Sequence, residues 1–250
     1  MLAIIGGSGL TRLSTLAVAH REVVRTPYGE PSSALVFGQI AGHDVVFIAR
    51  HGHGHTIPPH RVNYRANLWA LKQRGATAIL AVASVGGIRD AAPGDLVLPH
   101  QLIDYTHDRE SSFFDGGDQR VVHIDFTHPY TPALRAKCLA AADAAGVQLV
   151  DGGVYGAASG PRLETAAEIN RMDRDGATLV GMTGMPEATL ARELGLPYAA
   201  IAVVVNHAAG RGDSSERISM EGIDKVLETA MDKVRALLEH VVPLCAENRP

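Results

Sequence analysis

The sequence predicts a single α/β domain over residues 1–250, with a mixed, largely parallel central β-sheet flanked by helices. Three observations carry that expectation. Short continuous apolar runs recur along the chain, as in strands buried on both faces. Segments with a 3.6-residue apolar period fall between or after them. Glycine accounts for 26 residues while aromatics reach only 5%, which favours tight strand-to-helix turns over an aromatic-packed sandwich. A hydrophobic share of 46% over 250 residues supports one sizeable core. A net charge of −4 with 20% charged residues argues against disorder and against a nucleic-acid partner.

The opening MLAIIGGSGL reads as a strand over 2–5 running into a glycine turn, not as a secretory leader. Further strands are expected over 45–49, 78–83, 96–98, 178–182 and 199–205, and helices over 62–73, 132–144, 164–174, 187–194 and 219–240. The last helix carries Ile223, Val226, Leu227, Ala230, Val234 and Leu237 on one stripe, with Ser219 placed to cap it. Residues 106–129 are polar and aperiodic, and read as a long functional loop. No repeat or linker divides the chain, and no run of about 18 apolar residues offers a membrane span. The two cysteines, Cys138 and Cys245, cannot form a disulfide framework, so a soluble protein of the reducing cytoplasm is expected.

The chemistry concentrates at predicted strand ends, where open α/β sheets bind ligands. Gly6-Gly7-Ser8-Gly9 fails the G-x-G-x-x-G spacing of dinucleotide folds, yet its backbone N–H groups and the Ser8 hydroxyl suit a phosphate as well as a plain tight turn. Arg50-His51-Gly52-His53-Gly54-His55 and His60 gather four histidines in ten residues. Zinc is conceivable there, but no acidic or Cys ligand is near and Arg50 repels a cation, so anion binding by the guanidinium fork is favoured over metal or a solvated loop. Ala83-Ser84 and Met182-Thr183 each put a hydroxyl beside free backbone at another strand end. Ser8, Arg50, His51, Ser84 and Thr183 are therefore expected to converge on one phosphate-sized anion, with Asn206 at a further strand end suited to reading a heterocycle edge. Replacing Arg50 by Ala should then weaken phosphate use while leaving the fold intact.

The segments AIIGGSGL, ARHGHGHTIPPHRVNYRANLWALK, ASVGGIRDAAPGDLVLPHQLIDYT, GPRLETAAEI and VGMTGMPEATLARELGLPYA resemble the trimeric nucleoside phosphorylases, which include purine nucleoside and methylthioadenosine phosphorylases, over almost the whole chain. The resemblance implies that family's α/β fold and displacement of a purine from ribose by phosphate, a co-substrate, with no metal or organic cofactor. It assigns Ser8, Arg50, His51, Ala83, Ser84 and Thr183 to phosphate. Ala83, where the family often has Thr or Asn, offers only its backbone. Met182 would pack on ribose and base, beside Leu163, His207 and Ala208. Glu164 and Asn206 would read the base and assist its departure.

Glu164 accepting from N1–H favours 6-oxopurines, because facing adenine N1 would leave a buried charge unpaired. Adenine-specific relatives carry a second Asp where this chain has Ala208. Met220 and Ile223 would meet the 5′ substituent, and neither can bond a 5′-hydroxyl, so 5′-methylthioinosine is expected ahead of inosine or guanosine, with methylthioadenosine last. The resemblance further implies a homotrimer in which His123 reaches a neighbour's site. A dinucleotide-dependent oxidoreductase and a non-catalytic nucleoside or metal binder are the readings from other classes.

Overall fold

The computed structural model describes residues 1–10, 13–116 and 120–246. The strands are β1 (Leu2–Gly6), β2 (Ala17–Glu22), β3 (Leu35–Ile40), β4 (His43–Ala49), β5 (Ala78–Gly87), β6 (Leu96–Leu98), β7 (Gln101–Asp104), β8 (Leu149–Asp151), β9 (Val154–Ala157), β10 (Leu179–Gly181) and β11 (Tyr198–His207). The helices are α1 (Tyr64–Gln73), α2 (Pro132–Ala145), α3 (Ala166–Asp175), α4 (Gly184–Glu193) and α5 (Met220–Ala246). All strands join one mixed sheet whose main path runs β2-β3-β4-β1-β5-β10-β9-β7, with β11 beside β5 and β6, and β8 beside β6.

Both faces of the central strands are buried, and the period of two sorts them cleanly. On β1, Ala3 and Ile5 join one apolar layer with Leu68 and Leu71 of α1 and Leu190 of α4. Leu2 and Ile4 join the opposite layer with Cys138 of α2 and Val234 and Leu238 of α5. Every apolar run picked out from the sequence coincides with a strand, the run over 178–182 exceeding β10 by one residue at each end. Of the additional strands, β2 is exposed and β7, β8 and β9 are short, whereas β3 carries the apolar stretch Leu35-Val36-Phe37, its first two residues buried, which the sequence reading passed over. Residues 106–129 contain no helix or strand among those described.

Local chemistry sets the helix ends. Thr165 accepts from Glu168 N while the Glu168 side chain accepts from Thr165 N, a reciprocal capping box that starts α3 just after Glu164. Gly146 closes α2 in the left-handed conformation, at φ 63°. The Ser219 hydroxyl accepts from Gly222 N at 3.1 Å, the cap expected for α5.

The site arises from a fork in the sheet. The first half of β5 pairs in parallel with β1, ending at Ile5↔Ala81. Its end pairs antiparallel with β10, beginning at Gly86↔Val180. Between these ladders residues 82–85 of β5 face an opening instead of a strand, and their other edge stays paired with β11.

Candidate active site

A cavity of about 810 Å³ occupies that opening. Its walls come from the β1 turn, the ends of β4, β5, β10 and β11, residues 55–59, Pro161, Leu163 and Glu164, and the first turns of α5. Ser8, Arg50, His51, Ala83, Ser84 and Thr183 all line it, as do Leu163, Glu164, Met182, Asn206, Ala208, Met220 and Ile223. Two expected residues lie elsewhere. The His207 ring packs on Gly212, where an added Cβ would stand 2.6 Å from Nδ1, and it does not line the cavity. His123 is exposed in the 106–129 segment and lines no part of its own chain's cavity.

The turn after β1 passes so close to β5 that a Cβ on Gly7 would meet the Val82 carbonyl at 2.6 Å, so only glycine fits. That approach puts Ser8 over the opening. On the far side, the register of β11 shifts between Val204 and Asn206. The irregularity lets consecutive residues, Val205 and Asn206, both reach the cavity. Asn206 Nδ2 donates to the His207 carbonyl at 2.6 Å, which leaves its second amide hydrogen and Oδ1 for a ligand.

Arg50 is 1% exposed, and its fork is largely occupied. Nε and Nη2 donate to Glu187 at 2.7 and 2.9 Å, and Nη1 donates to the Val82 carbonyl, which the fork leaves without a strand, at 3.0 Å. Tyr198 also donates to Glu187, at 2.8 Å. Burial opposes the Arg50 charge, but the Glu187 carboxylate more than offsets this and holds the guanidinium above its usual pKa. The resident cation of the anion pocket is therefore neutralised in place, and only its remaining N–H groups serve a ligand. Ser84 Oγ is buried with no hydrogen-bond partner among the described residues, an open position for a ligand acceptor or donor.

His51 Nδ1–H donates to the Ile57 carbonyl at 2.8 Å, so the neutral ring presents Nε2 as an acceptor. Burial first, then the Arg50 charge and the His55 ring, push its pKa down to about 4 against the Ile57 carbonyl. The unfolded imidazole titrates near 6.5 and the folded one near 4. Above that window the group is neutral in both states and contributes no pH dependence. As pH falls through it the unfolded chain binds the extra proton, so stability is lost by up to about 3 kcal/mol. Wild type should thus lose more stability between pH 7.5 and 4.5 than His51→Asn, which keeps the Ile57 bond; equal acid losses in melting experiments would refute this.

Burial raises the Glu164 carboxyl above its ordinary range; its own backbone N–H and Arg162 oppose this, and Glu168 reinforces it. On α5, Met220, Ile223, Asp224 and Leu227 face the cavity at i, i+3, i+4 and i+7. Sequence reasoning passed over Leu227, although it stood on the predicted apolar stripe, and Asp224, which breaks that face. It also passed over Glu187, whose signal was a lone carboxylate in the run Gly184-Met185-Pro186-Glu187-Ala188. Among the described residues no three His, Cys, Asp or Glu side chains group as they would around a metal.

The Phosphorylase superfamily matches residues 1–243. The chain belongs to that family. A Pseudomonas syringae pv. tomato protein named "Probable S-methyl-5'-thioinosine phosphorylase" is 54% identical over 241 residues, covering 96% of this chain and 97% of its own. A Moorella thermoacetica protein named "Probable 6-oxopurine nucleoside phosphorylase" is 43% identical, over 97% of this chain and 92% of its own. Methylthioadenosine phosphorylase from Schistosoma mansoni, solved in complex with adenine, superposes with a TM-score of 0.95 at 32% identity, covering 99% of this chain and 92% of that one.

Proposed function

We propose that residues 1–250 form one nucleoside phosphorylase domain that converts S-methyl-5′-thioinosine and phosphate to hypoxanthine and 5-methylthioribose 1-phosphate, reversibly. One observation carries this reading. A single cavity holds a donor-rich anion pocket, the Glu164–Asn206 pair, and an apolar helical face, as a methylthio-oxopurine nucleoside and phosphate require. Relatives named for this activity, 50–55% identical, support it.

The C1′–N9 bond breaks ahead of attack, its electrons passing to the purine while an oxocarbenium-like sugar develops, and a phosphate oxygen then bonds C1′. Ser8, Ser84, Thr183, the backbone at Ala83 and the free edge of Arg50 hold the phosphate. Neutral His51 accepts its hydroxyl hydrogen at Nε2. Glu164 accepts from purine N1–H, and Asn206 donates toward N7 and O6, where negative charge collects. Leu163, Met182 and Ala208 enclose sugar and base, with His207 supporting from behind Asn206. No metal or organic cofactor takes part; phosphate is the co-substrate.

Met220, Ile223 and Leu227 offer the 5′ substituent carbon and sulfur only. Burying a methyl contributes about 0.8 kcal/mol, and an unpaired buried hydroxyl costs roughly 1–3 kcal/mol. Methylthioinosine should therefore be preferred over inosine by about ten- to several-hundred-fold. The second reading, an inosine and guanosine phosphorylase, draws on Asp224, the one acceptor on that face. Met220 is 64% exposed and Leu163 40%, apolar surface at the cavity wall that a neighbouring subunit would cover, in keeping with a homotrimer whose His123 reaches across. Two free cysteines suit the cytoplasm, and among the described residues no helix is long and apolar enough to cross a membrane.

The test is base release with and without phosphate from methylthioinosine, methylthioadenosine, inosine and guanosine, on the species whose solution mass equals three chains. Methylthioinosine should lead. Equal efficiencies on methylthioinosine and inosine would move the assignment to the second reading, and release without phosphate would remove both.

A further inference from the structure

Arg109 belongs to the 106–129 segment, outside the cavity, yet its guanidinium ties together the backbone of two cavity walls. Nη1 donates to the carbonyls of Met182, at 2.9 Å, and of Met185. Nη2 donates to the carbonyls of Ser159, at 2.7 Å, and Ala158, at 3.4 Å. The Tyr64 ring lies beneath, 5.4 Å from the guanidinium carbon, with its hydroxyl oxygen 3.3 Å from Nη1. Carbonyls 158 and 159 follow β9 and lead directly into the stretch bearing Leu163 and Glu164. Carbonyls 182 and 185 flank Thr183. The Met182 peptide is held on both sides, since Thr183 N–H donates to the Tyr155 hydroxyl at 3.4 Å.

These oxygens lie just past the ends of β9 and β10 and, for Met185, in the irregular first turn of α4, and all of them meet one guanidinium. Their dipoles repel one another unless a cation with donors at fixed angles sits between them, which a planar guanidinium provides and a point-charge ammonium does not. The loop is built to deliver it. Arg65 takes Glu110 and Asp115, and Glu193 takes the Ser112 hydroxyl and Phe113 N–H. Glu110 and Asp115 are thereby drawn to Arg65, Asp108 pairs with His107 and Asp125 accepts from the Thr127 hydroxyl, and Arg109 has no carboxylate within ion-pair distance among the described residues. With Arg50 cancelled by Glu187, the uncompensated positive charge behind the Met182–Thr183 backbone is that of Arg109.

We propose that Arg109 is a positioning residue that sets the spacing between the Glu164 and Thr183 walls, so that base reading and phosphate holding depend on one guanidinium outside the cavity. This rests on the phosphorolysis reading for its kinetic consequence but not for its structural one. The experiment compares wild type, Arg109→Lys and Arg109→Ala. In the variants, KM for phosphate should rise and kcat for methylthioinosine should fall together, each by about 10- to 100-fold, as misplacement of about 1 Å predicts. Millimolar guanidinium should restore part of the activity of Arg109→Ala while leaving wild type unchanged, and Lys should not substitute for it. Hydrogen exchange should accelerate in both residues 158–164 and 182–185 of Arg109→Lys, a readout that needs no substrate. Unchanged exchange in either segment, a kinetic loss confined to one substrate, or a loss that follows melting temperature and resists guanidinium would overturn the proposal. Wild type without phosphate-dependent release would refute the phosphorolysis reading alone, leaving exchange to decide Arg109.

Discussion

Arg50→Ala is expected to lose about 3–5 kcal/mol of folding stability as well as its use of phosphate, because it strands the Glu187 carboxylate in the interior. Both side chains of the pair are 1% exposed, and Tyr198 and two guanidinium nitrogens satisfy Glu187. Without the guanidinium only Tyr198 remains, and an uncompensated buried charge outweighs the lost hydrogen bonds in cost. This corrects the sequence-based expectation of an intact fold, which treated Arg50 as a free fork at a strand end. The double variant Arg50→Met/Glu187→Met separates the two effects, since a buried pair replaced by apolar groups of similar volume is often neutral for stability. It should melt near wild type and remain unable to use phosphate at ordinary concentrations. Single Arg50→Ala melting like wild type would show that Glu187 is satisfied without Arg50. A double variant with normal phosphate dependence would place the anion elsewhere.

That correction illustrates what the chain makes legible. The central strands were readable because burial on both faces needs unbroken apolar runs, as in Ile4-Ile5 and Ala199 to Val205. The outer strands were not, because β2 and β7 are held by ladder hydrogen bonds that any side chain permits. Ser8, Ser84, Thr183 and Asn206 could be placed from glycine turns and strand ends alone, and the cavity contains all of them. Glu187 and Arg109 could not, because both act through long-range contacts: Glu187 lies 137 positions from Arg50, and Arg109 lies 73 from Met182. Nothing local in either neighbourhood marks such a partnership. Leu227 was missed for a different reason. A residue on an amphipathic stripe reads as core, and Leu227 is core that also faces the cavity.

Glu164→Ala is expected to lower kcat/KM for methylthioinosine by about 30- to 1000-fold, the equivalent of roughly 2–4 kcal/mol for an ionised acceptor on a purine N–H in a partly desolvated site. Glu164→Gln should lose almost as much, because an amide can turn a donor toward N1–H and its carbonyl is a weaker acceptor than a carboxylate. The wild-type pH profile follows from the same group. Burial raises the Glu164 pKa, so the neutral acid persists to higher pH than for an exposed carboxyl, and kcat/KM should fall on the acid side from above the ordinary carboxylate range. Neither variant should show that acidic limb. Asn206→Asp acts on the other edge of the base: it removes the one amide hydrogen left to serve N7 and O6, and leaves the His207 carbonyl without its donor. Combined with Glu164→Ser, it should reduce activity on 6-oxo substrates at least about 100-fold and shift the ratio of 6-amino to 6-oxo turnover toward adenine nucleosides, since a serine hydroxyl can donate to adenine N1 and the new carboxylate can accept from its amino group. Parallel measurements on methylthioinosine and methylthioadenosine decide the point. Unaltered 6-oxo selectivity in the double variant would mean that the base is read by other residues of the cavity.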